Sequence, residues 1–483
     1  MADLRHAVVI GGSIAGLCAG RVLADHFERV TVFDRDRFPT ELQHRKGVPQ
    51  SRHPHALLDG GRRELERLFP GFERLCQDRG ALELDPGFDL AVMRPTGWTP
   101  RRRSPFTLLF ASRVLFESVI RELAARQSNL EVIEDREVSG LRVEPGSNRR
   151  VTGVILGSPR GENEELAADL VVDASGRATR VPGWLEKLGL PPVEMTVVDA
   201  DAGYSSRWYQ APSPDARPES WWWKCLWIEP LVDEASRLEE EYFGVLFPIE
   251  NDRWIVTTAS WGGRELATDA ESFERIVSKL RTPVLAEAIA RAKPISPVYT
   301  RRGMQNSWRH YERWRAELPG FVATGDAVCG FNPVYGQGMT SAARCAVVLR
   351  GCLEKEDPRS AAFSRRFLRE QADFLEIPWM MAVSRDRQQA RLEADDPGTQ
   401  TRLQAIVRRG GAFYLRNVAW AAGADDVVNG ALFEVVNLTR SPTDLFRDPF
   451  LVARVLWARL RQILSPRVDR GSIPPRPPAD IID

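Results

Sequence analysis

Apolar residues along this chain fall into short continuous runs, alternating stretches and stripes at helical spacing, and each kind predicts a different element. The run Ala7 to Ile10 predicts a buried strand. A helical pattern follows it, and a second apolar run, Val30 to Phe33, ends in Asp34. Arg113 opens SRVLFESVIREL, where Leu115, Val119, Ile120 and Leu123 share one helical face. VTGVIL (Val151 to Leu156) and DLVVDASGR (Asp169 to Arg177) read as strands, the second ending in a glycine turn. Phe321 to Arg350 reads as strand, glycine and proline turn, then helix. EYFGVLFPIENDRWIVTTASW predicts two strands of an antiparallel hairpin, with the runs broken by Pro248 and by the turn Glu250-Asn251-Asp252.

The first of these blocks has the order of a βαβ nucleotide fold. Between its strand and helix lies Gly11-Gly12-Ser13-Ile14-Ala15-Gly16. Gly11 permits the tight turn, Gly16 permits close packing of helix on strand, and the helix start presents free N–H groups to a pyrophosphate. Ser13 stands where the second glycine of the fingerprint usually lies; its side chain is small enough for the backbone to approach a phosphate. Asp34 is placed to accept ribose hydroxyls.

The nucleotide-fold signals recur in three separated blocks, so the predicted organisation is interleaved. Residues 1–85, 105–180 and 300–355 form a Rossmann-type α/β domain, and 86–104 with 181–299 form an antiparallel β-sheet substrate domain. Residues 356–483 form a C-terminal helical region with an extended tail, SIPPRPPADIID. The last helix, within FLVARVLWARLRQIL, carries Leu456, Leu460, Ile463 and Leu464 with Arg454, Arg459 and Arg461 between them, and is read as packing onto the body. Seven of the 14 tryptophans fall between Trp208 and Trp261, which makes the sheet a wall for an apolar ligand. Trp223, Trp227, Phe247 and Trp254 are the substrate-facing candidates.

Charge and composition narrow the function. At 483 residues the chain buries more than one core, and its 66 basic residues balance 66 acidic ones, so nothing suggests nucleic acid as a partner. The start shows no basic segment leading into an apolar core, and no run is long enough to cross a bilayer. The six cysteines are scattered without a CxxC pair, and His53 and His55 have no ligand partners at metal spacing. The expectation is a cytoplasmic protein with reduced thiols, no metal and no integral membrane association.

Taken together, the Gly11 to Gly16 turn, Arg113 at a helix start, DASGR at 173–177 and GDAVCGFNPVYGQGMTSAA at 325–343 resemble the flavoprotein monooxygenases of the para-hydroxybenzoate hydroxylase type. The similarity spans about residues 5–350. Within that superfamily HRKGVPQSRHPHALL, FPIENDRWIVT and FNPVYGQGM look most like the bacterial olefin epoxidases of polyether antibiotic pathways. The resemblance implies FAD as cofactor, with Gly11, Ser13, Ala15, Gly16 and Asp34 at the dinucleotide and Arg113 at its pyrophosphate. It further implies Asp326 near the ribityl chain and Arg45 and Lys46 near the flavin or its phosphates. Pro49, Gln50, Pro333, Gly336 and Gly338 would surround the ring, and the helix beginning near Met339 would point its positive end at an anionic reduced flavin.

The implied activity is transfer of one oxygen atom of O2, through a C4a-hydroperoxyflavin, to a bulky apolar secondary-metabolite precursor by alkene epoxidation. No acid or base residue is assigned. Ser175-Gly176 replaces the Asp-Gly of the hydroxylases. That change leaves open whether NADPH or NADH reduces the flavin directly or through a separate flavin reductase. Aromatic hydroxylation, flavin-dependent halogenation, prenyl-type flavin reduction and a non-redox flavin-binding cyclisation template are the alternatives. A halogenase needs a lysine between flavin and substrate, and none of the six (Lys46, Lys187, Lys224, Lys279, Lys293, Lys355) has a halogenase context. For an aromatic acid, Arg207 and Arg253 are the candidate carboxylate anchors.

Overall fold

The computed structural model describes residues 4–39, 42–95, 97–146, 149–157, 163–231, 241–390, 414, 417–418, 421–422, 425–441, 443–464 and 476–481. Five parallel strands make the half expected to hold a nucleotide, in the order Phe321–Ala323, Leu170–Asp173, His6–Ile10, Arg29–Phe33, Leu130–Ile133. A parallel sheet carries helices on both faces, so its strands read as unbroken apolar runs; Ala7, Val8 and Val9 are fully buried. The helix Ile14–Leu23 links the two central strands and packs against a second helix, Gly338–Leu353. Gly11 has φ +106°, and a Cβ on Gly16 would lie 1.7 Å from the Gly11 carbonyl oxygen. Only glycine tolerates both demands.

A larger mixed sheet forms the second half. Its order is Lys293–Pro294, Gly203–Gln210, Arg253–Ser260, Phe243–Ile249, Cys225–Ile228, Leu90–Arg94, Gly97–Trp98, with Tyr299–Arg301 also paired to Gly203–Gln210. The expected hairpin is present, turning through Asn251 and Asp252 at φ 64° and 52°, where Asn and Asp are tolerated. Pro248 does not break its strand, which runs through to Ile249. The neighbouring strand Cys225–Ile228 pairs with Gly244 to Leu246 and stops short of Pro248, so no second ladder requires its missing N–H there.

Side chains alternate across this sheet. Leu226, Ile228, Leu246, Trp254 and Val256 pack against the helices Ala270–Ser278 and Val284–Ala290. Cys225, Phe243, Val245 and Phe247 face the other way, in one layer with Phe110, Trp261 and Met304.

Beyond the second helix of the nucleotide half runs a long helix, Ala361–Ala390, with Pro378 inside it. The last helix, Pro449–Leu464, packs by a different stripe from the one its sequence suggested. It buries Leu451, Val455 and Ala458 against Val418, Val428 and Val435, and leaves Leu456 and Leu460 61% and 45% exposed. The helix has two apolar stripes, and Arg454 pairs with Asp425 at 2.9 Å in the observed rotation. The side chains of Ile463 and Leu464 lie outside the described residues, as do residues 472–475 and 482–483 of the tail. Of the remainder, Arg476 pairs with Glu287 at 2.7 Å and Ile481 bridges to Arg101.

Gly16→Ala tests the close approach in the nucleotide turn. The added methyl collides with backbone rather than a movable side chain, so denaturant unfolding should show a loss of about 3 kcal/mol.

Candidate active site

The site begins at the turn after the first strand. Ser13 precedes the helix Ile14–Leu23 but does not cap it; its hydroxyl donates to Glu117 at 2.9 Å and accepts from Arg113 Nη2 at 2.9 Å. Asp34 accepts from the backbone N–H of Gly12 and of Asp36, each at 2.8 Å, and from Arg45 Nη1 at 3.2 Å. Arg45 also reaches Asp36 at 2.9 Å and Glu117 at 2.7 Å, so three carboxylates cage it. Burial pushes the Glu117 carboxyl up, but Arg113 and Arg45, with hydrogen bonds from Arg45 and Ser13, hold it below the usual carboxylate range.

Arg113 starts the helix Arg113–Ala124, whose cap is Ser112 accepting from Leu115 N–H at 3.2 Å. Arg113 is 6% exposed, and burial lowers its pKa despite Glu117. Its Nη2 is satisfied by Ser13 and Glu117, while its Nη1 is buried with no partner. An unpartnered buried guanidinium nitrogen costs free energy unless an anion meets it. A pyrophosphate oxygen would supply that partner.

One cleft of about 410 Å³ connects these groups, within the range of ligand sites. Gly11, Ser13, Ala15, Asp34 and Arg113 line one part of it, Arg45, Lys46, Pro49 and Gln50 another, and Asp326, Pro333, Gly336, Gly338 and Met339 a third. Gly16 does not line it; its place is the packing of helix on turn. Asp326 also sits 3.4 Å from Arg177. The helix beside Met339 begins at Gly338, and the turn before it is shaped by Asn332, whose side chain accepts from Val334 N–H at 3.2 Å. Gly336 has φ +67°, and a Cβ on Gly336 or Gly338 would meet no atom within 4 Å. The turn therefore leaves open space for a flat ring, and the residues present fit FAD.

On the sheet side the lining includes His55, Tyr204, Arg301 and Met304, which the sequence did not single out for this place. His55 Nδ1–H donates to the His53 carbonyl at 2.9 Å, so its Nε2 carries the lone pair. His53 Nδ1 meets Ser206 at 2.7 Å, and Ser206 meets Thr257 at 2.5 Å. The Tyr204 hydroxyl is buried without a partner, and burial pushes its pKa up. Desolvation pushes both His53 and His55 down to about 3.

None of the four aromatic candidates lines the cleft itself. Phe247 lies on the cleft-side face of the sheet, with Trp227 stacked on it at 6.3 Å and Val334 in the same layer. Trp223 and Trp254 lie on the opposite face, among the helices that back the sheet. Arg207 pairs with Glu274 at 3.3 Å and Arg253 with Glu250 at 2.9 Å, and neither lines the cleft.

No family model matches the chain. It is 34% identical to Protein Rv3254 of Mycobacterium tuberculosis over 363 residues, covering 72% of this chain and 73% of that one. Among solved structures it is similar to a flavoprotein/dehydrogenase from Cytophaga hutchinsonii, at TM-score 0.62 and 15% identity over 95% of this chain and 99% of that one. It is also similar to the flavin-dependent halogenase CmlS, at TM-score 0.61 and 17% identity over 96% and 78%. A third is the p-nitrophenol 4-monooxygenase PnpA of Pseudomonas putida DLL-E4, at TM-score 0.59 and 15% identity over 90% and 99%. At these identities the likeness shows a shared α/β fold.

Two outcomes follow from the cleft. Arg113→Ala should weaken FAD binding at least about 30-fold in a fluorescence titration, because it removes a buried charged contact worth about 2 kcal/mol or more. For the histidines, the unfolded chain takes up a proton at each as pH falls through the ordinary 6.5, whereas the folded chain stays neutral to about 3. Stability is therefore lost as pH falls across that window, by up to about 1.4 kcal/mol per pH unit for each. Replacing both by Gln should flatten that slope in denaturant unfolding.

Proposed function

The chain belongs to the family of Protein Rv3254 of Mycobacterium tuberculosis, and from its cleft and its fold we propose that it is an FAD-dependent monooxygenase. The observation that carries the reading is the unpartnered Nη1 of Arg113, buried in a cleft that continues past Gly336 and Gly338 to the sheet. Bound and reduced, FAD supplies activation of O2; one oxygen atom goes to the substrate and the other leaves as water. NADH or NADPH is the reductant, directly or through a separate flavin reductase. Ser175 does not substitute for the hydroxylases' aspartate; its hydroxyl and N–H are both spent on Asp173, at 2.5 and 3.0 Å.

The chain's own residues bind, orient and exclude water. Arg113 takes the pyrophosphate, with Asp34 at the ribose. The N–H groups at the start of Gly338–Leu353 offer partial positive charge to an anionic ring, without any residue that must titrate. Phe247, Trp227 and Met304 make the nearby layer apolar, which favours a bulky hydrocarbon-rich substrate and keeps water out. The apolar layer favours alkene epoxidation, as in polyether-type secondary metabolism; Arg207 and Arg253 are paired away from the cleft, so hydroxylation of an aromatic acid would have to rest on Arg301 of the lining. Against halogenation, the one lysine among the described lining residues is Lys46, which is exposed. The proposed compartment is the cytoplasm, in keeping with six free, buried cysteines. No described helix is long and apolar enough to cross a membrane.

Oxygen uptake by the FAD-loaded, reduced protein tests the reading. Uptake coupled to formation of an epoxide from an added terpenoid or polyketide alkene is expected. Halide-dependent product, or reoxidation without oxygen consumption, overturns it in favour of halogenation or alkene reduction respectively.

A further inference from the structure

At the end of the long helix Ala361–Ala390, Asp386 is completely buried, yet it belongs to neither the nucleotide turn nor the cleft lining. Its carboxylate accepts from Trp261 Nε1 at 2.8 Å, Asn306 Nδ2 at 2.5 Å, Asn332 Nδ2 at 3.0 Å and the Tyr335 hydroxyl at 2.5 Å. Asn332 N–H in turn donates to the Asn306 side-chain oxygen at 2.7 Å, while the Asn332 side-chain oxygen accepts from Val334 N–H. Asn306 and Asn332 are themselves fully buried. Burial pushes the Asp386 carboxyl above the usual range, against the pull of these donors.

These partners come from separate parts of the fold. Trp261 follows the strand Arg253–Ser260 of the large sheet, and Asn306 opens the strand Asn306–Arg309. Asn332 and Tyr335 bracket Pro333 and Val334 in the turn that leads to Gly336 and Gly338. A carboxylate with four donors is expensive to bury and strongly directional, so its ligands can hold little other geometry. We propose that Asp386 is the positioning residue of the ring-facing turn: it fixes Asn332 and Tyr335 against the sheet and thereby sets the turn's distance from the flavin. This rests on the monooxygenase reading for the flavin, though not for the turn.

The test separates the two. Asp386→Asn keeps the shape of the side chain but sets an amide N–H₂ against a cluster of donors; Tyr335→Phe removes one donor. Glu250→Gln is the control, since Glu250 is buried and its partners, Arg253 at 2.9 Å and the Ser112 N–H at 2.9 Å, lie outside the turn. In the cofactor-free full-length chain, amide exchange over 332–338 should quicken roughly tenfold in Asp386→Asn, less in Tyr335→Phe, and remain unchanged in Glu250→Gln. After loading with FAD, the visible spectrum and midpoint potential of the flavin should shift in the same order. Unchanged exchange in Tyr335→Phe and Asp386→Asn overturns the proposal, as does an equal change in Glu250→Gln, which would mark general loosening. If Asp386→Asn does not fold, Tyr335→Phe decides. A wild-type chain that takes up no FAD overturns the reading of the site, while exchange still decides the role of Asp386.

Discussion

A buried carboxylate, Glu117, determines how one wall of the cleft is built. It stands between two guanidiniums, Arg45 at 2.7 Å and Arg113 at 3.2 Å, and accepts a hydrogen bond from the Ser13 hydroxyl at 2.9 Å. Through these bonds the helix Arg113–Ala124 is tied to the turn after the first strand, and Arg45 is held away from solvent. The same bonds occupy one side of the Arg113 fork. A cation as buried as Arg113 would not persist without an anion, and Glu117 supplies it in the absence of ligand. Because Glu117 engages Nη2, Nη1 is left as the open half of the fork. The protein's internal ion pair thus decides which atom of the fork is open to an anion.

Ser13 gains a reason from the same arrangement. Where a glycine would bring the backbone closer to phosphate, serine contributes a hydroxyl that links Arg113 to Glu117. The departure from the glycine fingerprint is part of the charge network rather than a weakening of it.

The nucleotide half was legible because its signals are local. Strands buried on both faces read as unbroken apolar runs, Gly11 and Gly16 mark a turn that no other residue fits, and the stripe Leu115, Val119, Ile120, Leu123 is buried as its spacing requires. Glu117 was within reach too, since an acid four residues after Arg113 on a helix is a neighbour of it. His55, Tyr204 and Asp386 were not: only the folded chain brings His55 and Tyr204 to one cleft wall and gives Asp386 its donors from Trp261 to Tyr335. The tryptophans show the same limit from another side. Alternation tells which residues of one strand share a face, but the register between strands decides which face meets the cleft, and that placed Trp254 on the side opposite Phe247. In the last helix two apolar stripes competed, and the tertiary core around Val418, Val428 and Val435 took the one with Leu451, Val455 and Ala458.

The best-buried titratable groups at the cleft have fixed charge states, His55 and Tyr204 through burial and Glu117 through its guanidinium partners. His55 stays neutral because its imidazole is desolvated and close to Arg113, and the Tyr204 phenol keeps its proton for the same reason of burial. Arg113 remains a cation while Glu117 stays ionised beside it. A site of this kind offers fixed dipoles and fixed charges, not groups poised to exchange protons near neutrality. That suits a reaction in which the cofactor carries the electrons and oxygen while the chain orients reactants and excludes water. Acid should then act on this protein chiefly through its fold, by protonating the unfolded histidines, before it changes the charge of the cleft.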